Sequence, residues 1–213
     1  MSEAPSTLRE SVLPEDQARA DFYALLARLF ADGPDAALLT SLANAAPLES
    51  DPSADATDVP ALAAAWDALR AASADVDPAA VADEHQTLFV GVGRSAVSPH
   101  ASHYLAPQSG RLLAELRGSL ARLGVARRPE SSAYEDHLAV LLETMRFLAV
   151  GDGTTPAAPI YEQRAFFERY VASWAFDCCN AIEANSIANY YQSVAQFTRC
   201  FLALERDSFA VES

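Results

Sequence analysis

Apolar residues recur at every third or fourth position along most of the chain, which is the spacing of an amphipathic α-helix. The first apolar stripe consists of Ala18, Phe22, Leu25, Leu26, Leu29 and Phe30. The last stripe consists of Ile187, Tyr190, Tyr191, Val194, Phe197, Phe201 and Leu202. Residues 87–92 resemble a strand, but a single strand has no pairing partner. The pattern therefore predicts an all-α protein with a compact, bundle-like fold of about eight or nine helices.

Capping residues and helix breakers set the predicted helix bounds. Asp77 is a typical N-cap before Pro78, and Ser132 with Glu135 forms a capping box. The predicted helices cover residues 14–32, 35–46, 61–74, 78–89, 111–124, 132–150, 161–174 and 185–206. The predicted organisation is a flexible N-terminus at 1–13 and one helical domain at 14–213, with a candidate hinge near 91–133.

The chain is strongly acidic, since 29 Asp and Glu residues oppose 15 basic residues, all of them arginine, for a formal net charge of −14. This charge disfavours nucleic acid and anionic membrane surfaces as partners. It favours a basic peptide or protein partner, although the same acidity could serve solubility alone. The N-terminal segment lacks a signal-peptide pattern and no apolar run reaches 18 residues, so we expect a cytoplasmic protein without membrane insertion.

Histidines are the residues that could carry chemistry. His100 and His103 could ligate a metal ion together with His137 or His85, but the chain contains no HExxH motif. Asp136 beside His137 could serve acid–base catalysis, or could simply cap a helix next to a packed histidine. Nucleophile-elbow, phosphate-loop and dinucleotide motifs are also missing from the sequence. The residues alone leave open a small metal-dependent enzyme and a non-catalytic helical regulatory module.

Two longer motifs, with the helices around them, resemble a known family. The segment EHQTLFVGVGRSAVSPHASHYL, residues 84–105, is similar to a helix end LFVGP followed by PPxxSxYL. The segment SAYEDHLAVLLETMRFLA, residues 132–149, is similar to EPEDHxxxxLxxM. Over residues 18–206 the chain thus resembles the TorD/DmsD/NarJ family of redox-enzyme maturation chaperones. It departs from the family pattern at His100, where Tyr or Trp is usual, and at Tyr134, where Pro is usual.

The resemblance implies a chaperone without enzymatic activity or cofactor. Such a chaperone binds the twin-arginine leader peptide, or a terminal segment, of a molybdoenzyme catalytic subunit in the cytoplasm until the molybdenum cofactor is inserted. By motif position, the implied peptide-binding residues are His85, Leu88, Phe89, Pro99, His100, Ser102, Tyr104, Asp136 and His137.

Each part of this implied site has an expected role. Leu88 and Phe89, together with Pro99 and Tyr104, would receive the apolar part of the peptide. Asp136 and the acidic surface would attract its arginines. A monomer is expected, with the loops at 91–110 and 124–133 as candidate hinges for a domain-swapped dimer.

Overall fold

The computed structural model describes residues 12–48, 58–91, 95–106, 109–124 and 134–211. Within these ranges the chain forms ten α-helices, nine of them with seven or more residues, and no strand, which confirms the all-α prediction. The helices are α1 (Pro14–Ala31), α2 (Ala36–Ala43), α3 (Asp58–Ala74), α4 (Pro78–His85), α5 (Ala101–Tyr104), α6 (Ser109–Arg122), α7 (Leu138–Val150), α8 (Ile160–Phe166), α9 (Ala175–Glu183) and α10 (Tyr190–Val211). Turns of π-helix extend α4 over Gln86–Val90 and α8 over Phe167–Ala172. None of the helices in the described ranges is both long and apolar enough to cross a membrane.

An aromatic cluster joins the first and last helices to α3. Phe22 of α1 packs edge-on against Phe197 and Phe201 of α10, at ring-centroid distances of 5.3 and 5.6 Å. The same ring meets Trp66 of α3 at 5.6 Å. Edge-to-face pairs of this kind contribute about 0.5–1.5 kcal/mol each beyond the burial of their area. The cluster therefore gives the fold a rigid base formed by α1, α3 and α10.

A buried ion pair fixes the orientation of α1 against α10. Glu205 is 2% exposed, and its carboxylate accepts N–H groups of Arg19 at 2.8 and 2.9 Å. It also accepts the hydroxyl of Tyr23 at 2.8 Å. Removing one partner would leave a buried charge unpaired, which is strongly destabilising. The pair therefore favours one arrangement of the two helices over alternatives.

Glu84, in the last turn of α4, caps the start of α10. Its carboxylate accepts the backbone N–H groups of Asn189, Tyr190 and Tyr191 at 2.8, 3.0 and 2.8 Å. The first N–H groups of a helix lack partners within the helix and lie at the positive end of its dipole. The contact thus satisfies three such groups and ties the end of α4 to α10.

Local start signals predict α4 well and α3 less well. Asp77 caps α4 as predicted, because its side chain accepts the N–H of Ala79 at 3.0 Å. Helix α3 begins at Asp58, so the predicted loop at 47–60 is too long at its end, and residues 49–57 lie outside the described ranges. Pro60 fits within the first turn of α3, where the missing N–H of proline is not needed.

The predicted capping box at the start of α7 is wrong. The helix begins at Leu138 and its N-cap is His137, while Ser132 lies outside the described residues. Leu138 donates its N–H to the carbonyl of Pro99 at 2.8 Å. Together with the N-cap His137, this long-range bond starts the helix at Leu138, so Asp136 and His137 precede the helix instead of lying inside it.

Two other predicted segments differ from the helices observed. The predicted helix at 185–206 begins instead at Tyr190 and runs to Val211. The apolar stripe of the predicted helix includes Ile187. In the structure this residue precedes the helix and is 43% exposed. The strand-like residues at 87–92 lie largely within the π-helical turn Gln86–Val90, whose buried residues are Leu88 and Phe89. A short apolar run has the same pattern in a strand and in a buried helical turn.

Candidate functional site

A short antiparallel bridge brings together the two sequence motifs. His100 and His137 form this bridge, although they lie far apart in the chain. Ala101 donates its N–H to the carbonyl of Asp136 at 3.0 Å, and Leu138 donates to the carbonyl of Pro99 at 2.8 Å. The start of α5 is thereby fixed against the start of α7. Pro99 itself is buried, so it contributes to the support of the bridge.

Asp136 holds this junction with its side chain as well. The carboxylate is buried, with the residue 3% exposed. It lies 3.2 Å from Nδ1 of His100 and accepts the backbone N–H of Ser102 at 2.9 Å. Burial alone raises the pKa of Asp136, but the hydrogen bonds from His100 and Ser102 outweigh it and bring the pKa to about 2. The ionised carboxylate only accepts hydrogen bonds, so Nδ1 of His100 carries the hydrogen between them.

His137 is used as a helix cap. Its Nδ1 accepts the N–H of Ala139 at 3.1 Å, and its ring lies 4.9 Å from that of His100 at 83°. Burial, with a smaller effect of the nearby His100, lowers the pKa of His137 to about 4. The imidazole is therefore neutral at neutral pH, as a nitrogen that accepts from a backbone N–H must be.

Tyr134 stands at the outer edge of the junction and is not among the site residues predicted from the sequence. Its side chain is large and the residue is 63% exposed. Its carbonyl accepts the N–H of His137 at 3.0 Å, and its ring lies 5.9 Å from that of His100 in an edge-on arrangement. In the sequence this position stands out only as a departure from the family pattern, because proline is usual there. Exposure of an aromatic ring beside a partly buried histidine could not be read from that position alone.

Leu88 and Phe89 lie in the core in this structure. They are 0% and 7% exposed, and Phe89 packs against Phe30 and Tyr191 at 5.8 and 5.0 Å. Val97 donates its N–H to the carbonyl of Leu88 at 2.9 Å, which ties this turn to the segment leading to Pro99. Direct contact of these two side chains with a peptide stays a prediction, and it would require the core to open.

His85 is also buried, at 6% exposure, and burial lowers its pKa. Its ring packs against Phe89 and Tyr191 at 5.3 and 5.7 Å. Within the part of the chain that the structure describes, its Nε2 has no hydrogen-bond partner. A Cβ added to Gly33 would lie 3.1 Å from the His85 ring, so this glycine allows the end of α1 to approach the histidine. In the folded protein, His85 is therefore part of the core.

Tyr104 anchors α5 on α9. Its ring stacks on Trp174 at 5.4 Å and 26°, and burial raises its pKa. Cys178 approaches the carbonyl of Ser98 at 3.6 Å, and burial raises the pKa of this thiol to about 12. Tyr104 is half-buried, so it stabilises the loop while keeping an accessible edge.

The candidate metal ligands do not form a ligand set. In the described ranges, no three or more His, Cys, Asp or Glu side chains are grouped so that they could hold a metal ion. His100 and His137 are adjacent, whereas the ring of His103 lies against Tyr104, at 4.9 Å, and is exposed. The hypothesis of a metal site built from these three histidines is therefore not supported by their arrangement.

Comparison with known proteins identifies a family. Residues 55–180 match the sequence profile described as nitrate reductase delta subunit. The matched segment covers more than half of the 213-residue chain and includes all nine residues implied for peptide binding. A search of curated proteins found no match.

Proposed function

We propose that this protein binds a peptide segment of a molybdoenzyme catalytic subunit, on the premise that the chain belongs to the nitrate reductase delta subunit family. That family comprises molybdoenzyme maturation chaperones, which are non-catalytic and work with nitrate reductase-type molybdoenzyme subunits. Membership confirms the resemblance to TorD/DmsD/NarJ chaperones noted in the sequence. The finer proposal is that the bound segment is a twin-arginine leader or a subunit terminus, held in the cytoplasm until the cofactor is inserted.

The observation that carries the proposal is the junction built around Asp136. Its carboxylate holds His100 and the backbone of Ser102, so the loop that precedes α5 is ordered before any peptide arrives. A preorganised surface loses less conformational entropy on binding and therefore binds more tightly. We propose that the peptide contacts the accessible parts of His100, Ser102 and Tyr104.

The buried members of the predicted site take a supporting role in this proposal. His85, Leu88 and Phe89 are buried, and the carbonyl of Leu88 accepts the N–H of Val97 in the segment that leads to Pro99. Substitutions of these three residues would then weaken binding through the shape of that segment. The acidic surface adds a separate effect, because a net charge of −14 speeds the encounter with a basic peptide.

Isothermal titration calorimetry of the full-length protein tests the proposal. One arm uses the leader peptide of the molybdoenzyme catalytic subunit encoded beside the gene, and a second arm uses the terminal segment of the mature subunit. We expect at least one of them to bind, with affinity that falls as salt rises. If neither binds at low salt, the proposed function is wrong.

A matched pair of variants tests the role of the junction. Asp136→Asn and Asp21→Asn each remove one negative charge, but Asp21 is exposed on α1, where its side chain accepts a hydrogen bond from Gln17. We expect Asp136→Asn to weaken binding about tenfold, because the loop loses the bonds that order it. Asp21→Asn should bind like the wild type. Equal affinities of both variants would remove the junction from the site.

A further inference from the structure

Tyr134 combines exposure with a fixed position, which is unusual for a large aromatic side chain. The residue is 63% exposed, yet its carbonyl is bonded to the N–H of His137 at 3.0 Å. Its ring is also held edge-on to His100 at 5.9 Å. Fixed tyrosines of this kind offer a large contact surface at little entropic cost, and they are enriched where proteins bind partners.

His100 presents a second recognition group beside that ring. Its Nδ1 is engaged by Asp136 at 3.2 Å, and its side chain is 30% exposed. The bond to the carboxylate sets the orientation of the imidazole, which leaves Nε2 as the nitrogen that can meet a ligand. In the neutral ring this nitrogen is a hydrogen-bond acceptor, because Nδ1 carries the hydrogen.

The charges around the two rings favour a cation. Asp136 lies beneath His100, and Glu135 follows Tyr134 in the chain. Among the residues that the structure describes, Arg117 of α6 contributes a cation, whose guanidinium donates to Glu135 at 3.2 Å and is 58% exposed. The charge of Asp136 also contributes to raising the pKa of Arg117. These three described side chains, two carboxylates and one guanidinium, together carry one net negative charge.

We infer that Tyr134 and His100 form a receptor for one arginine side chain of the bound segment, with the guanidinium against the Tyr134 ring and one N–H directed at Nε2 of His100. This inference rests on the proposed function. Planar guanidinium stacks on aromatic rings and donates at a fixed angle, so arginine fits this pair better than lysine. Asp136 is then a positioning residue, since both of its oxygens already hold the loop and its charge is buried.

A titration that does not depend on the natural client tests the receptor. The protein, labelled at its four histidines, is titrated with N-acetyl-arginyl-arginine amide and with the corresponding dilysine compound, and the imidazole NMR signals are followed. We expect the His100 signal to move more than those of His85 and His103. The arginine compound should bind about two- to fivefold more tightly than the lysine compound, which is the usual effect of an exposed cation–π contact.

Variants at Tyr134 separate the ring face from the hydroxyl. Tyr134→Phe keeps the aromatic face and should retain the preference for arginine, whereas Tyr134→Leu keeps an apolar side chain without π-electrons and should lose it. His100→Asn can still donate to Asp136 but does not reach as far as Nε2, so it should weaken arginine binding while the fold, checked by circular dichroism, is kept. A His100 signal that does not respond to the arginine compound overturns the inference.

Arg117 provides a test whose sign depends on the charge of the ligand. Arg117→Gln removes a competing cation, so we expect binding of the arginine compound to tighten up to about fivefold at low salt and less at high salt. Unchanged or weaker binding would show that no cation occupies the site.

If the compound binds as expected but no leader or terminal peptide does, the proposed function fails and the receptor stands. If a leader binds equally well when its arginines are replaced by citrulline, the receptor fails and the proposed function stands.

Discussion

The Asp136→Asn substitution should reveal how strongly the junction stabilises the fold. The change keeps the size of the side chain but removes its charge. The buried carboxylate holds His100 and the N–H of Ser102, and hydrogen bonds to charged groups contribute about 1.5–3 kcal/mol each. The amide oxygen can replace part of this, so we expect the free energy of unfolding to fall by about 2–3 kcal/mol at neutral pH.

The effect should depend on pH in a direction that follows from the pKa of Asp136. The pKa is about 2 in the folded protein, against an ordinary value of 3.8. A carboxyl whose pKa is lowered by folding stabilises the protein above its unfolded pKa, and this stabilisation is lost as pH falls through the folded value. A shift of this size corresponds to about 2.5 kcal/mol in full, of which about 1 kcal/mol is lost by pH 3.

The gap in stability between wild type and Asp136→Asn should therefore narrow by up to about 1 kcal/mol as the pH falls to about 3. Protonation of His137 lowers the free energy of unfolding at higher pH, as the pH falls from its ordinary pKa of 6.5 to its folded pKa of about 4. The charge of Asp136 raises that folded pKa, so this loss is larger in Asp136→Asn and opposes part of the narrowing. Urea unfolding followed by circular dichroism, at constant ionic strength, measures the gap at each pH. Asp21→Asn, on an exposed face, is the control and should show no such trend. A gap of constant size would mean that hydrogen bonds do not hold Asp136 ionised.

Three further substitutions test the fold around the site. Gly118→Ala should stabilise the protein by about 0.5–1 kcal/mol, because Gly118 lies inside α6 and an added Cβ meets nothing within 4 Å. Gly151→Ala should destabilise it by about 2 kcal/mol or more, because φ is +70° and the Cβ would clash with the carbonyl of Thr155. Thermal and urea unfolding measure both, and the same sign for the two variants would contradict the glycine assignments. Glu84→Gln should cost about 1–2 kcal/mol and speed amide exchange at Tyr190 and Tyr191, because the cap of α10 loses its charge. Unchanged exchange at these amides would show that the charge of Glu84 is not needed for the cap.

The fold class could be predicted from the sequence because helical periodicity and caps are local properties. Asp77 before Pro78 starts α4 as expected, since an N-cap acts on N–H groups two or three positions away. The start of α7 could not be predicted in this way. There the Leu138 N–H bonds to Pro99, and the sequence contains no sign of a partner so far along the chain.

The motifs predict which residues of the junction lie together, but they do not predict how these residues are bonded. The fold brings together four residues that the motifs single out, His100, Ser102, Asp136 and His137, and their role in peptide binding stays a prediction. The spacing could not show that the Asp136 carboxylate is already engaged within the protein. The same local sequence is compatible with an aspartate that binds an arginine of the peptide and with one that is bonded to its own loop. Only the distances to His100 and Ser102 distinguish the two.

The division between supporting and exposed residues at the junction has a consequence for partner choice. Asp136 and His137 make bonds that define the loop, so replacing either one changes stability and binding together. Tyr134 contributes its carbonyl to the loop, and any amino acid supplies that group, whereas its ring faces solvent. Substitutions of the Tyr134 side chain should therefore change which peptide is preferred while costing little stability. Comparing the unfolding free energies and peptide affinities of Tyr134→Leu and Asp136→Asn tests this separation, and an equal loss of stability in the two variants would refute it.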